Sequence, residues 1–266
     1  MAAPMKTHPS RAGLYVIAAG ALYALVPLMA TCWFSLRNGR AGASFRAYHE
    51  VLADPAFRES FALSLQLAAG TIVLTITLVT VTGFWVHLRL PRLQSAVGFV
   101  ATLPVVVPPI ALVVGLIREF SWAPAWLYGS YAVLVGAYSV LALPYAHRTI
   151  DNGLDSLNIR TLTEAARSLG AGWPTIFRTI VLPNLRSSVL TAALLTFAIV
   201  MGEFTIAVIM QFTTFSVYMS YIWESRATGA AALSVLSFLI TWTGMLAIIV
   251  VGNRLGRGMT QIGGTG

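Results

Sequence analysis

The stretch Glu164–Pro183, E-A-A-R-S-L-G-A-G-W-P-T-I-F-R-T-I-V-L-P, is the longest polar interruption in an otherwise apolar chain. Its residue types predict two short helices joined by a turn. Asn158 or Thr161 can cap the first helix, which runs through good helix formers. Gly170 stands where a helix C-terminus needs a left-handed residue, and Pro174 suits the first turn of a second helix.

The second predicted helix carries an apolar stripe. Ile176, Phe177, Ile180 and Val181 recur at helical spacing and would lie on one face. Because isolated helices of this length are unstable in water, we expect the pair to dock on something larger.

The same stretch fits a known signature, E-A-A-x3-G-x9-I-x-L-P, at every fixed position. The chain thereby resembles the permease subunits of binding-protein-dependent ABC importers, in which this is the EAA loop. The resemblance implies that the first short helix is a coupling helix that seats in a cleft of an ATP-binding subunit. The alternative is an amphipathic connector on the membrane surface. The residues assigned to ATPase coupling are Leu162, Glu164, Ala165, Ala166, Arg167, Leu169, Gly170, Ile180, Leu182 and Pro183.

Composition independently indicates a membrane protein. Of the 266 residues, 57% are apolar and 10% are charged, whereas a soluble domain carries about 25% charged residues. The net charge of +8 comes from dispersed basic residues that flank apolar segments, which is typical of membrane topology rather than of a nucleic-acid-binding patch. Cys32 is the only cysteine, which excludes a disulfide framework and a cysteine-based metal site.

The sequence does not indicate an enzyme. It contains no G-x-x-x-x-G-K-[ST] motif, and its single lysine, Lys6, stands in the amino-terminal tail, so we do not expect the chain to hydrolyse ATP. The histidines His8, His49, His87 and His147 are far apart and form no H-E-x-x-H pattern. We therefore expect no catalytic residue, no metal site and no cofactor bound by this chain.

Uncharged apolar stretches predict six transmembrane helices, since about 20 apolar residues cross the ~30 Å hydrocarbon core. Eleven of the 17 lysines and arginines fall on the cytoplasmic side if the amino terminus is inside, which favours two cytoplasmic termini. The long loop 148–187 then faces the cytoplasm, and the outer residues 37–60 are predicted to form a short interfacial helix. The predicted spans are about 14–36, 61–87, 96–117, 130–147, 188–210 and 233–253.

Two features within the spans point to a translocation path. Pro104 and Pro108-Pro109 remove backbone donors, so the third span must kink or break. Irregular backbone at membrane depth is tolerated where protein or a water-filled cavity surrounds it. Glu203, which follows Gly202, is the one acid within a span, where a charge costs about 2.5–3.5 kcal/mol.

Alternatives remain for both features. The prolines can also serve as a kink for packing. Glu203 can contact a cationic substrate, pair with an arginine of a partner subunit, or stay protonated as a hydrogen-bonding packing residue. We favour a path or gate role, which assigns the translocation path to Pro104, Pro108, Pro109, Gly202 and Glu203.

The resemblance implies an all-α polytopic membrane protein of the type I ABC importer permease fold, with a single transmembrane domain over 1–266 and a core at about 60–253. The L-P-x-V-x-P-P third span is most similar to spermidine/putrescine-type permeases, although Gly202-Glu203 replaces the paired acids of some polyamine permeases.

The family works by alternating access in the bacterial cytoplasmic (inner) membrane. Its partners are two ATP-binding subunits that use ATP and Mg, a second permease subunit (sister or identical) and an extracytoplasmic solute-binding protein. The alternatives are a related permease for iron, an inorganic oxyanion, thiamine or phosphonate, or a proton-coupled secondary transporter that uses Glu203.

Overall fold

The chain folds almost entirely into α-helices, which confirms the predicted all-α class. The computed structural model describes residues 11–37, 42–122, 124, 127 and 129–262. In these ranges no β-strand occurs, and an isolated bridge joins Arg37 and Ala43. The helices are α1 (Arg11–Leu36), α2 (Arg46–Ala53), α3 (Pro55–Arg89), α4 (Gln94–Thr102), α5 (Pro109–Phe120), α6 (Tyr131–Ser156), α7 (Ile159–Ser168), α8 (Trp173–Asn184, with a π-helical middle), α9 (Arg186–Gly202), α10 (Thr205–Ile209), α11 (Phe215–Ser225) and α12 (Ala227–Ile262).

Several of these helices are long and apolar enough to cross a membrane. Three do so singly: Tyr15–Leu36 within α1, all of α3, and Ala227–Val250 within α12. Two bent pairs also qualify, Pro91–Val105 with α5 at 98° and α8 with α9 at 73°. The described residues thus supply up to five candidate spans.

The one remaining predicted span, the fourth at 130–147, coincides with α6. This helix is long enough at 26 residues, but it falls outside the apolar set because its second half carries Arg148, Asp151 and Asp155. The count of six spans therefore stays a prediction. Both chain termini lie outside the described residues, so their cytoplasmic location also stays a prediction.

One compact unit comprises the described residues of Met1–Pro55 together with Met219–Leu239. In it, α1 buries none of its apolar stretch and contacts α2, where the hydroxyls of Ser35 and Tyr48 are hydrogen-bonded at 2.6 Å. The helix α2 confirms the short helix predicted in residues 37–60. Its Glu50 accepts a 2.7 Å hydrogen bond from Nε of Arg46 and lies 3.3 Å from Nη1 of Arg226.

The second unit comprises the described residues of Ala56–Tyr218 and of Ile240–Gly266. Its centre is the pair α6 and α9, which contact each other extensively. A Cβ added at Gly153 would lie 2.9 Å from Cβ of Ser188 on α9, so only glycine permits this approach. Leu134, Tyr138 and Ile150 of α6 are fully buried. This packed pair positions the two regions that the sequence singles out, one at each end of α9.

Candidate functional site: the EAA segment and the broken helices

The EAA segment, defined as residues 158–184, consists of α7, a turn and α8, as the sequence predicts. Asn158 occupies the N-cap position of α7, but its side-chain oxygen accepts a 3.0 Å hydrogen bond from the Thr161 hydroxyl and none from a backbone N–H of the helix. The two candidate caps therefore bond to each other. The start of α7 is stabilised instead by burial of Ile159.

The helix α7 buries one face and exposes the other. Ile159 and Ala166 are buried, whereas Leu162 exposes 39% of its surface, and Leu169, which directly follows the helix, exposes 89%. An apolar side chain as exposed as Leu169 is typical of a surface that contacts a partner when other apolar residues lie beside it. Of the other residues assigned to ATPase coupling, Glu164, Ala165, Arg167 and Gly170 are also exposed.

The turn after α7 is a Schellman motif. Gly170 has φ +82°, the left-handed conformation that favours glycine. Its N–H donates to the carbonyl of Arg167 at 2.9 Å, and the N–H of Ala171 donates to the carbonyl of Ala166 at 3.0 Å. The predicted role of Gly170 at the helix terminus is confirmed, and Pro174 stands in the first turn of α8 as expected.

The helix α8 packs inward through the predicted stripe. Ile176 and Val181 are fully buried, and Phe177 and Ile180 pack against the same cluster. The buried cluster joins the ends of α3 and α6 to both helices of the EAA segment through Val79, Phe84, Ala146, Ile150, Leu154, Ile159, Ala166, Ile176, Val181, Leu185 and Ala192.

The structure thus divides the signature residues into two groups. An outer group is exposed and lies on α7 and the turn. An inner group holds the segment against the bundle, with Ala166 buried and Ile180, Leu182 and Pro183 partly buried.

Sequence reasoning missed an aromatic cluster beside the turn. The Trp173 ring lies 5.1 Å from that of Trp85 and 6.4 Å from that of Phe84, measured between centroids. The guanidinium carbons of Arg167 and Arg89 lie 4.8 and 5.4 Å from the centroid of the Trp173 ring. The aromatic pair Phe84-Trp85 at the end of a span was the signal available in the sequence.

His87 joins α3 to α6 next to this cluster, which the sequence also did not reveal. Its Nδ1 lies 2.9 Å from the carbonyl oxygen of Gly83, and its Nε2 lies 3.0 Å from Oδ1 of Asp155 and 3.7 Å from Oδ1 of Asp151. In the described residues no three His, Cys, Asp or Glu side chains form a group that could hold a metal ion.

Glu203 breaks the predicted span 188–210. The helix α9 ends at Gly202, and Glu203 has extended backbone angles. Its carboxylate, 8% exposed, accepts hydrogen bonds from the backbone N–H of Ile206 at 3.0 and 3.1 Å and from that of Ala207 at 3.4 Å. The acid therefore caps the short helix α10, and an uninterrupted helix over 188–210 is wrong because this side chain satisfies the amides of a new helix start.

The two broken spans meet in space. The helix α10, which follows Glu203, contacts α5, which follows Pro108, and also α6. Pro104 is partly buried, while Pro108, Pro109 and Gly202 are exposed. The predicted break at the prolines is confirmed by the 98° bend. The EAA segment is not part of this group, because α9 separates it from Glu203 by 17 residues, or about 25 Å.

A family model described as "Binding-protein-dependent transport system inner membrane component" matches residues 79–261. The molybdenum transport system permease protein ModB of Azotobacter vinelandii is 32% identical over 161 residues, which cover 56% of this chain and 70% of that protein. The spermidine/putrescine transport system permease protein PotC of Haemophilus influenzae is 25% identical over 244 residues, with 88% and 92% covered. The putrescine transport system permease protein PotI of Escherichia coli is 27% identical over 225 residues, with 77% and 75% covered.

Solved structures share the fold at lower identity. A bacterial ABC transporter involved in the import of the acidic polysaccharide alginate superposes with a TM-score of 0.70 at 17% identity, over 95% of this chain and 99% of that one. A bacterial alginate ABC transporter in complex with alginate pentasaccharide-bound periplasmic protein gives a TM-score of 0.64 at 16% identity, over 95% and 96% of the two chains. These matches confirm the importer permease fold.

The family match spans more than half of the chain and includes both the EAA segment and the break at Glu203. It favours an ATP-driven importer over a proton-coupled secondary transporter. The chain belongs to the binding-protein-dependent transport system inner membrane components, and it is a multi-pass permease subunit of an ABC importer in a bacterial inner membrane, not an enzyme in itself.

Proposed function

We propose that this permease forms a pore with a second permease subunit, identical or sister, and docks through α7 on cytoplasmic ATP-binding subunits. Two such subunits use ATP and Mg, and this chain binds neither. An extracytoplasmic binding protein delivers a small solute to the pore. The observation that carries the proposal is the exposure of Leu162 on α7 and of Leu169 directly after it, while the other face of the helix is buried.

The outer group of the signature supplies the docking surface. Leu162 and Leu169 offer apolar contact, and Glu164 and Arg167 offer charged groups beside it. An apolar centre with charged neighbours is the usual composition of a protein–protein interface. The contacts must differ between the nucleotide states of the ATP-binding subunits, because only differential contacts shift a conformational equilibrium.

The buried residues of the EAA segment and the adjoining Leu185 transmit the motion to the spans. Ile176 and Val181 are locked into the cluster formed by the ends of α3 and α6, and Leu185 lies in the same cluster between α8 and α9. Close-packed interiors transmit strain rather than absorb it. A displacement of α7 therefore moves α3, α6 and α9 together.

The translocation path runs beside the two broken spans in this proposal. Pro104, Pro108, Pro109 and Gly202 lie where helix backbone is interrupted, and α10 brings the second break next to the first. Glu203 positions α10 beside this path, because its carboxylate accepts hydrogen bonds from the backbone N–H groups of Ile206 and Ala207.

A polyamine is the first candidate solute, because the permeases PotC and PotI, named for spermidine and putrescine, align with 88% and 77% of this chain. An inorganic oxyanion is the second candidate. The molybdenum permease ModB is 32% identical, and the buried carboxylate of Glu203 is turned to backbone amides rather than left free for a cation.

The docking proposal is tested by ATP-driven uptake in liposomes that contain the purified complex. We expect the double variant Leu162→Ala, Leu169→Ala to insert normally and to lose uptake at least ~10-fold, an effect of about 1.4 kcal/mol. Leu74→Ala on α3, which replaces another exposed leucine, is the matched control and should transport as wild type does. Unchanged uptake in the double variant would contradict docking through α7.

The solute is tested on the associated binding protein by thermal shift with spermidine, putrescine, molybdate, ferric iron, thiamine and 2-aminoethylphosphonate. Stabilisation by spermidine or putrescine supports the first candidate. Stabilisation by molybdate alone replaces it with the second, and stabilisation by any other compound rejects both.

A further inference from the structure

Two arginines from different helices converge on one aromatic ring. Arg89 comes from the end of α3 and Arg167 from α7, and their guanidinium carbons lie 5.4 and 4.8 Å from the centroid of the Trp173 ring. Both distances are within the ~6 Å range of cation–π attraction. Arg89 and Trp173 lie outside the fixed positions of the signature, so the function proposed above does not use them.

The ring is fixed from behind by α3. Trp85 tilts against it at 5.1 Å and Phe84 meets it edge-on at 6.4 Å, and Phe84 is itself buried. Trp173 therefore holds both guanidiniums at a defined place relative to the bundle. A planar guanidinium placed in this way loses less freedom when it binds a planar anion.

The pair carries charge that the chain does not compensate. Both arginines are exposed, and neither forms an ion pair with an acidic side chain in the described part of the chain. Like charges at one ring repel each other, and a carboxylate bound by both forks removes this repulsion through charge-assisted hydrogen bonds.

The neighbourhood indicates which kind of anion binds. Leu169 stands two residues after Arg167 and exposes 89% of its surface, and Leu162 lies on the same helix. Exposed leucines beside the arginines match a protein surface, which offers apolar side chains and carboxylates together.

We propose that an acidic side chain of the ATP-binding subunit binds between Arg89 and Arg167, with Trp173 as the positioning residue for both. The inference rests on the proposed docking of α7. It extends that interface to the end of α3 and assigns a carboxylate as the partner's group.

The single lysine of the chain, Lys6, makes a direct test practical. In a Lys6→Arg background, the variants Arg89→Lys and Arg167→Lys each place one amine at the proposed contact. The probe is the ATP-binding subunit that co-purifies with the tagged wild-type chain and is identified by its nucleotide-binding peptide. A carbodiimide, which joins an amine directly to a neighbouring carboxylate, is added to the complex in nanodiscs, and the products are mapped by mass spectrometry.

We expect both variants to couple to an Asp or Glu of the ATP-binding subunit. Arg92→Lys is the matched control: it is exposed and three residues from Arg89, but its side chain is not over the Trp173 ring, and we expect at least tenfold less product. Absence of product from both variants while the subunit stays bound would overturn the inference and leave the proposed docking intact. Absence of any co-purifying ATP-binding subunit would instead refute the proposed function.

The positioning role is tested by Trp173→Phe and Trp173→Leu in the Arg167→Lys chain. Phenylalanine keeps an aromatic face and should keep most of the product, whereas leucine should reduce it severalfold at equal yield of assembled complex. Equal product from both variants would overturn the role of the ring. If retention of the ATP-binding subunit responds to anionic lipid content rather than to these substitutions, a lipid phosphate occupies the site and the inference is overturned.

Discussion

The EAA segment and the break at Glu203 show opposite relations between polarity and burial. Directly after α7 the apolar Leu169 is 89% exposed, whereas in the fifth predicted span the acidic residue Glu203 is 8% exposed. The bonding capacity of Glu203 is used within the chain, because its carboxylate accepts the amides of Ile206 and Ala207. Leu169 has apolar surface that the chain does not cover. The difference between the proposed docking surface and the structural cap is therefore whether the rest of the chain covers or bonds the side chain, and not only whether the side chain lies in an unexpected place.

The largest effect on uptake is expected from Gly170→Pro, which disrupts the turn in the exposed part of the EAA segment. Proline fixes φ near −65° and lacks an N–H, whereas Gly170 has φ +82° and donates to the carbonyl of Arg167. The Schellman turn cannot form, so α7 loses its orientation. We expect insertion to be intact while ATP-driven uptake falls more than tenfold and ATP hydrolysis continues without transport.

Gly172→Ala is the matched control for this prediction. Gly172 has φ −77°, and an added Cβ would meet only Cδ of Pro174 at an ordinary 3.8 Å. Its uptake should equal that of wild type. Normal coupled uptake by Gly170→Pro would show that the geometry of the turn has no role in coupling.

The next effect concerns the buried region. Glu203→Ala leaves the amides at the start of α10 without acceptors, and a buried unsatisfied group costs about 1–3 kcal/mol. We expect a lower thermal stability in detergent, with a smaller loss for Glu203→Gln, whose amide oxygen still accepts one of these hydrogen bonds. Uptake per folded molecule should stay close to wild type in Glu203→Gln.

The behaviour of Glu203→Gln distinguishes a helix cap from a contact with the solute. A Glu203→Gln protein that is as stable as wild type but does not transport would place the carboxylate in contact with the solute. The effect should also not depend on salt, since a buried interaction is screened little.

A third prediction compares two neighbours within α7. Ala165 is exposed, and Ala166 is 8% exposed and packs in the cluster around Ile176. Ala166→Leu inserts extra carbon atoms into a filled interior, which costs about 1–3 kcal/mol. We expect it to lower thermal stability, whereas Ala165→Leu should leave stability unchanged and weaken retention of the ATP-binding subunit. Equal stability of the two variants would contradict the division of the signature into outer and inner groups.

Much of the EAA segment was predictable because its signals are local. The left-handed glycine, the proline in the first turn and the apolar stripe each follow from neighbouring residues, and all three are confirmed. The contacts of α3 with Trp173 and with the acids of α6 were not predictable, because they join residues that are 64 or more positions apart in sequence. The end of α9 at Gly202 escaped prediction because Gly-Glu within an apolar run does not reveal that the acid caps a following helix.

The smallest effect is expected at Glu50, an exposed acid that contrasts with Glu203. The hydrogen bond from Arg46 lowers the pKa of Glu50 below its ordinary 4.5, and the charges of Arg46 and Arg226 act in the same direction. Because the folded pKa is lower than the unfolded one, ionised Glu50 adds stability above the unfolded value, and this contribution disappears as the pH falls through the folded value. Glu50→Gln should therefore lower thermal stability slightly at pH 7 and low salt, and the difference from wild type should vanish in acid and shrink in high salt. Glu59→Gln, which removes an exposed acid that forms no ion pair in the described part of the chain, should show none of this dependence. If the stability difference between Glu50→Gln and wild type persisted in acid and in high salt, the exposed Glu50 would not differ from the buried Glu203 in its sensitivity to solvent. That result would contradict the contrast drawn between the two acids.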